Sequence, residues 1–203
     1  MTTLGWLDVL GVGTFAVSGV LGAAHKKLDL FGALAVAFIC ALGGGTLRDV
    51  LLGLTPVFWI RDATPALVAL GCASSAFVLV RFVTFPTRLL LVLDALGLGV
   101  FAVLGANRAL EAGASLGVAA LMGTLSGSAG GAMRDVLCGD VPLVLRKEIY
   151  ATAALAGALL FGILVRTNIS HQNALWLGAA LTFGVRLAAI KWKLGLPLAQ
   201  TRE

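Results

Sequence analysis

The chain has 203 residues, of which 59% are hydrophobic and 12% are charged, and its formal net charge is +5. Soluble domains are about 25% charged, so the composition excludes a water-soluble globular protein. The mean hydropathy is +1.00, and the apolar residues form long uninterrupted stretches that are typical of membrane-spanning helices. Basic loops that orient a membrane protein explain the positive charge, and we therefore expect no nucleic-acid partner.

Seven stretches are long and apolar enough to predict membrane spans. In chain order they are residues 4–24, 30–53, 63–82, 88–107, 114–138, 148–166 and 173–193. The predicted fold is all-α and integral to the membrane, with residues 1–203 forming a single transmembrane domain. Nine Lys and Arg residues in the loops or at the ends of these spans lie on one side, and three lie on the other. The positive-inside rule then predicts an outside N-terminus and a cytoplasmic C-terminus.

An internal repeat relates the two halves of the chain. Residues 8–62 align without a gap with residues 94–148, at an offset of 86, and 19 of the 55 pairs are identical. Each copy holds three predicted spans, and because three is odd, the second copy enters the membrane in the opposite orientation. The sequence therefore predicts two inverted three-helix repeats, followed by a seventh helix and tail without a counterpart. The boundaries are 1–86, 87–170 and 171–203.

Runs of glycine lie near the middle of two predicted spans. The second span contains Gly43, Gly44 and Gly45, and the fifth contains Gly130 and Gly131. Each glycine inside a helix costs about 1 kcal/mol relative to alanine, so the runs predict a kink or an unwound segment. Unwound backbone at membrane depth is tolerated against protein or a watery cavity, where its carbonyls could face an ion. Close packing of helices is the alternative interpretation.

A charged pair follows each run, Arg48-Asp49 in one case and Arg134-Asp135 in the other. A charge near the centre of a span costs about 2.5–3.5 kcal/mol, so these side chains must be paired, hydrated or close to the headgroups. Because consecutive residues point in different directions on a helix, we expect pairing between the two spans, or arginines lining an aqueous path. The alternative is that these side chains snorkel to the headgroups. For Arg186, in the last span, snorkelling is what we expect.

The doubled motif resembles a known family. The segments GGGTLRDVLLG and GGAMRDVLCGDVP, in a 3+3+1 arrangement of spans, are similar to prokaryotic members of the trimeric intracellular cation (TRIC) channel family. Related sequences are also labelled glycine transporters. The resemblance covers nearly the whole chain. It implies a homotrimer in a bacterial or archaeal inner (plasma) membrane, in contact with lipids, with one pore in each protomer for monovalent cations such as K⁺ and Na⁺.

The resemblance also implies that the second and fifth helices line this pore. The predicted pore and gate residues are Gly43, Gly44, Gly45, Thr46, Arg48, Asp49, Ser126, Ser128, Gly130, Gly131, Arg134 and Asp135. One departure is Ala129, where a full glycine triplet would have Gly, so the second kink is expected to be milder.

Two functions remain open from the residues themselves. The first is a monovalent cation channel whose pore is lined by two glycine-broken helices, and the resemblance implies that it is permeable to potassium. The second is a secondary transporter of a small zwitterion such as glycine, because inverted repeats and helix breaks suit alternating access equally well. The sequence contains no metal-binding spacing, phosphate loop or nucleophile elbow. We therefore expect no enzyme activity, no catalytic residues, no metal and no cofactor.

Overall fold

A computed structural model of the protein describes residues 3–146 and 149–195, apart from the side chain of Thr87. Lys147 and Arg202, which entered the charge count, and Glu148, at the start of the sixth predicted span, lie outside these residues. The described helices are α1 (Thr3–His25), α2 (Leu30–Leu51), α3 (Phe58–Arg61), α4 (Thr64–Leu79), α5 (Thr87–Glu111), α6 (Leu116–Leu137), α7 (Ala151–Leu164) and α8 (His171–Trp192), with a 3-10 turn at Leu143–Leu145.

Five of the described helices, α1, α2, α5, α6 and α8, are long and apolar enough to cross a membrane. A helix of 22 residues is about 33 Å long, against a hydrocarbon core of about 30 Å. The predicted spans 63–82 and 148–166 correspond to the shorter apolar helices α4 and α7, which have 16 and 14 residues. The prediction of an all-helical membrane protein is confirmed.

The helices α1, α2, α5 and α6 form the centre of the bundle, where each packs against at least two of the others. On one side α4 packs against α1 and α2, and on the other side α7 packs against α5 and α6. The last helix, α8, lies against α5 and α7. Within this arrangement the charged pairs near the ends of α2 and α6 are buried.

The same local signals begin and end α2 and α6. The side chain of Asp29 caps α2 by accepting a hydrogen bond from the Gly32 N–H, and Ser115, 86 positions later, caps α6. Both helices end in a Schellman motif, in which Gly53 and Gly139 adopt left-handed φ values of 68° and 69°. Glycine takes up this conformation without the steric cost that a Cβ would impose. The bounds of the two helices consequently differ by 86 residues at both ends.

The contacts between the central helices are reciprocal. The Phe15 and Phe101 rings, which are 86 positions apart, stack with their centroids 5.4 Å from each other. Between α2 and α6, a Cβ on Gly44 would lie 2.1 Å from the carbonyl oxygen of Ser126, and a Cβ on Gly130 would lie 2.2 Å from the carbonyl oxygen of Cys40. Each contact therefore has a partner at the common offset, as in the contacts around a two-fold axis.

Of the two predicted effects of the glycine runs, a kink or an unwound segment, the continuity of the helices excludes the unwound segment. The backbone is not unwound at the glycine runs, because α2 is continuous from Leu30 to Leu51 and α6 from Leu116 to Leu137. Gly44 and Gly130 instead allow two helix backbones to touch, which is the usual role of small residues between membrane helices. Their carbonyl groups stay within the helices, so the interpretation as packing residues applies at these two positions.

Candidate functional site

The sequence places an Arg-Asp pair in the last turn of each of two central helices, which defines two candidate sites. We call Arg48, Asp49 and their contacts the α2 site, and Arg134, Asp135 and their contacts the α6 site. The negative end of a helix dipole lies at the C-terminus, so a cation in the last turn is stabilised there. Both arginines are nonetheless buried, with 4% and 1% of their surface exposed, and each therefore requires a close anionic partner.

The α6 site joins three helices. The Arg134 Nη1 atom lies 2.7 Å from Asp94 Oδ1 on α5, and it also donates a hydrogen bond to the Ser18 hydroxyl on α1. On the other side of the guanidinium, Nε and Nη2 donate to Asp135 Oδ1, over 2.9 and 2.7 Å. The second oxygen of Asp135 accepts the backbone N–H of Leu143 at 2.9 Å. One buried cation is thus held between two carboxylates.

The α2 site repeats only half of this arrangement. Nε of Arg48 donates to Asp49 Oδ1 at 2.8 Å, and Asp49 Oδ2 accepts the backbone N–H of Phe58 at 2.8 Å. The Arg48 guanidinium lies 5.5 Å from the centre of the Phe58 ring. Asp8 is the counterpart of Asp94 at the offset of 86, but within the described residues no ion pair joins it to Arg48. The Trp59 indole N–H donates to the Thr46 hydroxyl at 3.0 Å.

The sequence analysis expected consecutive Arg and Asp side chains to point in different directions, and this is wrong in both sites, because they pair with each other. Each aspartate accepts a backbone N–H from the loop that follows its helix, Phe58 in one case and Leu143 in the other, so it points past the helix end. The long arginine side chain extends the same way and meets it. The predicted pairing between α2 and α6 is also absent from the described ion pairs, because Arg134 takes its second carboxylate from α5.

Two cavities that have charged side chains in their lining adjoin the sites. One, of about 200 Å³, is lined by residues that include His25, Arg134, Asp135 and Asp140. The other, of about 140 Å³, is lined by residues that include Asp8, Asp49, Arg61, Asp62 and Arg108. The helix α1 contributes Asp8 to one cavity and His25 to the other, 17 residues and about 26 Å apart along its axis. The two cavities therefore lie towards opposite ends of the bundle.

Both cavities carry an ionised carboxylate outside the helices. The Lys26 ammonium lies 2.8 Å from Asp140 Oδ1, and its hydrogen bond lowers the pKa of Asp140 below the usual range. The pKa of Asp62 is lowered because its carboxylate accepts hydrogen bonds from the backbone and side chain of Thr64. Both groups are negatively charged at neutral pH, and the charge of Asp140 is balanced by Lys26.

The remaining predicted residues fall into two groups. Ser126 and Ser128 are buried in α6 next to the glycine contact, and the Ser128 hydroxyl donates back to the Thr124 carbonyl at 2.7 Å. Gly43, Gly45 and Gly131 face side chains: a Cβ at these positions would lie 2.6 Å from Met133 Sδ, 2.6 Å from the Phe58 ring and 2.8 Å from Asp94 Oδ1, respectively. Gly45 and Gly131 thus give neighbouring side chains room to reach the two Arg-Asp sites.

Sequence reasoning missed several residues of the sites, above all Asp94. A signal for Asp94 was available, because a carboxylate inside a predicted span is costly and this one matches Asp8 at the repeat offset. The expectation for Arg186 is wrong: the side chain is fully buried rather than snorkelling. Its Nη1 atom donates to the Ile149 carbonyl at 3.0 Å. No cluster of three or more His, Cys, Asp or Glu residues suited to a metal occurs in the described ranges.

Comparison with known proteins identifies the family. Residues 5–81 and 91–166 match a protein-family model described as "Glycine transporter". The chain belongs to this family. The chain is also similar to the UPF0126 inner membrane protein YadS of Escherichia coli (strain K12), with 43% identity over 194 residues, or 95% of this chain and 94% of that protein.

Two solved structures share the fold closely. A TRIC trimeric intracellular cation channel orthologue from Rhodobacter sphaeroides has a TM-score of 0.90 at 41% identity, covering 96% of this chain and all of that one. A structure described as the structural basis for conductance through TRIC cation channels has a TM-score of 0.88 at 32% identity, covering 98% of each chain. The predicted resemblance to prokaryotic TRIC channels is confirmed, and the family and its structural neighbours are channels or transporters rather than enzymes.

Proposed function

We propose that the protein is a monovalent cation channel, permeable to potassium, with one pathway through each protomer between α2 and α6. The observation that carries this proposal is the pair of buried Arg-Asp sites, each next to a cavity that has charged side chains in its lining, at the ends of two helices that cross at Gly44 and Gly130. The close structural similarity to TRIC cation channels supports the same function.

The proposed architecture is seven membrane crossings, as two inverted three-helix repeats plus α8. The reciprocal contacts of α1 with α5 and of α2 with α6 support it, because such reciprocity follows from a two-fold relation between the repeats. The N-terminus lies outside and the C-terminus in the cytoplasm, on the strength of the basic loops. The protein forms a homotrimer in a prokaryotic inner (plasma) membrane, as the name of its Rhodobacter sphaeroides neighbour supports.

The arginines act as the barrier in this proposal. Arg134 is a fixed positive charge next to one cavity, held by Asp94, Asp135 and Ser18, so a cation that approaches it is repelled. Conduction requires the guanidinium to move away from Asp94, which exposes a carboxylate to the passing ion. Arg48 plays the same part at the other cavity, with Asp49 as its partner. The pathway contains no TVGYG-like sequence, and we expect weak selectivity among monovalent cations.

Recording from purified protein in planar bilayers tests the channel proposal. Symmetric potassium chloride should give unitary currents, and replacement of potassium by N-methyl-D-glucamine on one side should shift the reversal potential towards that of a cation-selective pore. Replacing Arg134 by Ala should raise the open probability, while Arg166→Ala, at an exposed position after α7, should leave it unchanged. Silent bilayers over a wide voltage range would reject the proposal.

A second candidate is a transporter of glycine or a similar zwitterion. The family description favours it, and two cavities on opposite sides of a packed centre would also suit alternating access. An amino-acid carboxylate could pair with Arg48 or Arg134, and an ammonium with Asp8 or Asp94. Saturable uptake of labelled glycine into proteoliposomes, without unitary currents, would establish this function in place of the channel.

A further inference from the structure

Helix α8 has no counterpart in the repeat, yet it places an arginine beside the α6 site. Arg186 is fully buried in the bundle, although charged residues in membrane helices are costly. Its Nη1 atom donates to the Ile149 carbonyl at 3.0 Å, just before α7 begins, and its guanidinium lies 4.8 Å from the centre of the Tyr150 ring. A cation over an aromatic face is attracted to it, more strongly when water is excluded. Arg186 therefore fixes Tyr150 and the start of α7 relative to α8.

Tyr150 in turn reaches the α6 site. Its side chain is 1% exposed, and its hydroxyl makes no hydrogen bond among the described residues but lies, like Asp94, beside Gly131. A Cβ on Gly131 would lie 2.9 Å from the Tyr150 hydroxyl and 2.8 Å from Asp94 Oδ1. Asp94 Oδ1 is the atom that receives Arg134. Arg186 thus packs on Tyr150, and the Tyr150 hydroxyl and the Asp94 carboxylate of the buried ion pair lie beside the same glycine.

The α2 site provides an internal comparison, because it lacks this support. The position that corresponds to Tyr150 at the offset of 86 is Thr64, and the repeat contains no equivalent of α8. Where the Arg186–Tyr150 pair is present, Arg134 reaches the carboxylate of α5. Where it is missing, Arg48 makes no ion pair with the matching Asp8 of α1 in the described residues.

We propose that Arg186 is a positioning residue for the α6 site: it holds Tyr150 against Asp94, and Tyr150 in turn keeps Asp94 in place for Arg134. Weakening this support releases Arg134 from Asp94 and opens the adjoining cavity. The inference rests on the proposed channel function for its electrical test, but the geometry of the site can also be followed without any current.

Single-channel recording in symmetric potassium chloride provides the first measurement. Arg186→Gln removes the charge over the ring, whereas Tyr150→Phe keeps the ring and removes only the hydroxyl. Both should raise the ratio of open to closed time by about fivefold or more, the lower end of typical coupling between sites. The open-to-closed ratio of the double variant should be only slightly higher than that of the stronger single variant, since both residues act through the same contacts. Arg186→Lys should lie between the parent and Arg186→Gln.

Thiol labelling provides the second measurement, in detergent and without ion flow. The stem of Arg134 and Cys138 Sγ lie together over Gly22, 3.2 and 3.5 Å from the position of a Cβ there. Release of Arg134 should therefore raise the rate at which N-ethylmaleimide modifies Cys138, read by mass spectrometry of its peptide. Cys72, on α4, serves as the internal reference. The matched control is Arg166→Gln, which replaces an exposed arginine. Its open-to-closed ratio and its Cys138 labelling rate should equal those of the parent.

The outcomes separate the two proposals. Arg186→Gln carries a risk of misfolding, in which case Tyr150→Phe and Arg186→Lys decide the result. The inference would be overturned if well-folded Tyr150→Phe left both gating and the labelling rate of Cys138 unchanged. It would also be overturned if the effects of the two single substitutions on the open-to-closed ratio multiplied in the double variant, or if the labelling of Cys72 became faster to the same extent as that of Cys138. If the parent passes no current, the channel function fails, and faster labelling of Cys138 in both variants would still establish Arg186 as a positioning residue.

Discussion

The substitution Gly44→Ala tests whether the glycine runs pack helices or break them. The new Cβ would lie 2.1 Å from the Ser126 carbonyl oxygen, and real contacts begin near 3.0 Å, so α2 and α6 must separate by about 0.9 Å. A backbone carbonyl cannot rotate away as a flexible side chain can. Overpacking of this kind costs about 1–3 kcal/mol, against a gain of about 1 kcal/mol in helix propensity. We expect a net loss of up to about 2 kcal/mol in the free energy of unfolding.

Unfolding by sodium dodecyl sulfate in mixed micelles measures this free energy. The matched control is Gly117→Ala in the first turn of α6, where nothing lies within 4 Å of the added Cβ. It should be neutral or stabilise the protein by up to about 1 kcal/mol. If Gly44 were a helix break, alanine there would stabilise the helix in the same way. A Gly44→Ala variant as stable as Gly117→Ala would therefore refute the packing interpretation.

Three further predictions follow from the ion pairs and helix ends. Asp94→Asn should destabilise the protein by about 3 kcal/mol because it leaves a buried cation with one carboxylate fewer. Asp8→Asn breaks no ion pair among the described residues and should cost less than about 1 kcal/mol in the same titration. The pKa of Asp140 is lowered by Lys26. The ion pair therefore contributes its full stabilisation at pH values above the usual aspartate pKa, and this stabilisation is lost as the pH falls through the lowered pKa. The Tm difference between the parent and Lys26→Gln should accordingly vanish in acid, and a constant difference would contradict this assignment. Gly139→Ala should cost about 1–2 kcal/mol, since its φ of 69° is left-handed; an unchanged free energy of unfolding would contradict it.

The helices and their ends were predictable because their signals are local. The apolar stretches located α1, α2, α5, α6 and α8 to within a few residues, and the repeat offset recurs in the caps and helix ends. The candidate sites were half predictable. The motif drew attention to Arg134 and Asp135, but it did not reveal Asp94, which is 40 positions away from Arg134 and on another helix.

The sequence by itself determined that this is a helical membrane protein of doubled design, because hydropathy and repetition require no knowledge of contacts. Only the tertiary structure decided what the unusual residues do. Gly44 could have broken α2 or packed it, and the approach of α6 to within contact of its backbone decided for packing. Arg186 could have reached the headgroups, but the rotation of α8 against α5 and α7 directs it to Tyr150. Helix orientation depends on how all the side chains pack together, and no local pattern in the chain specifies it.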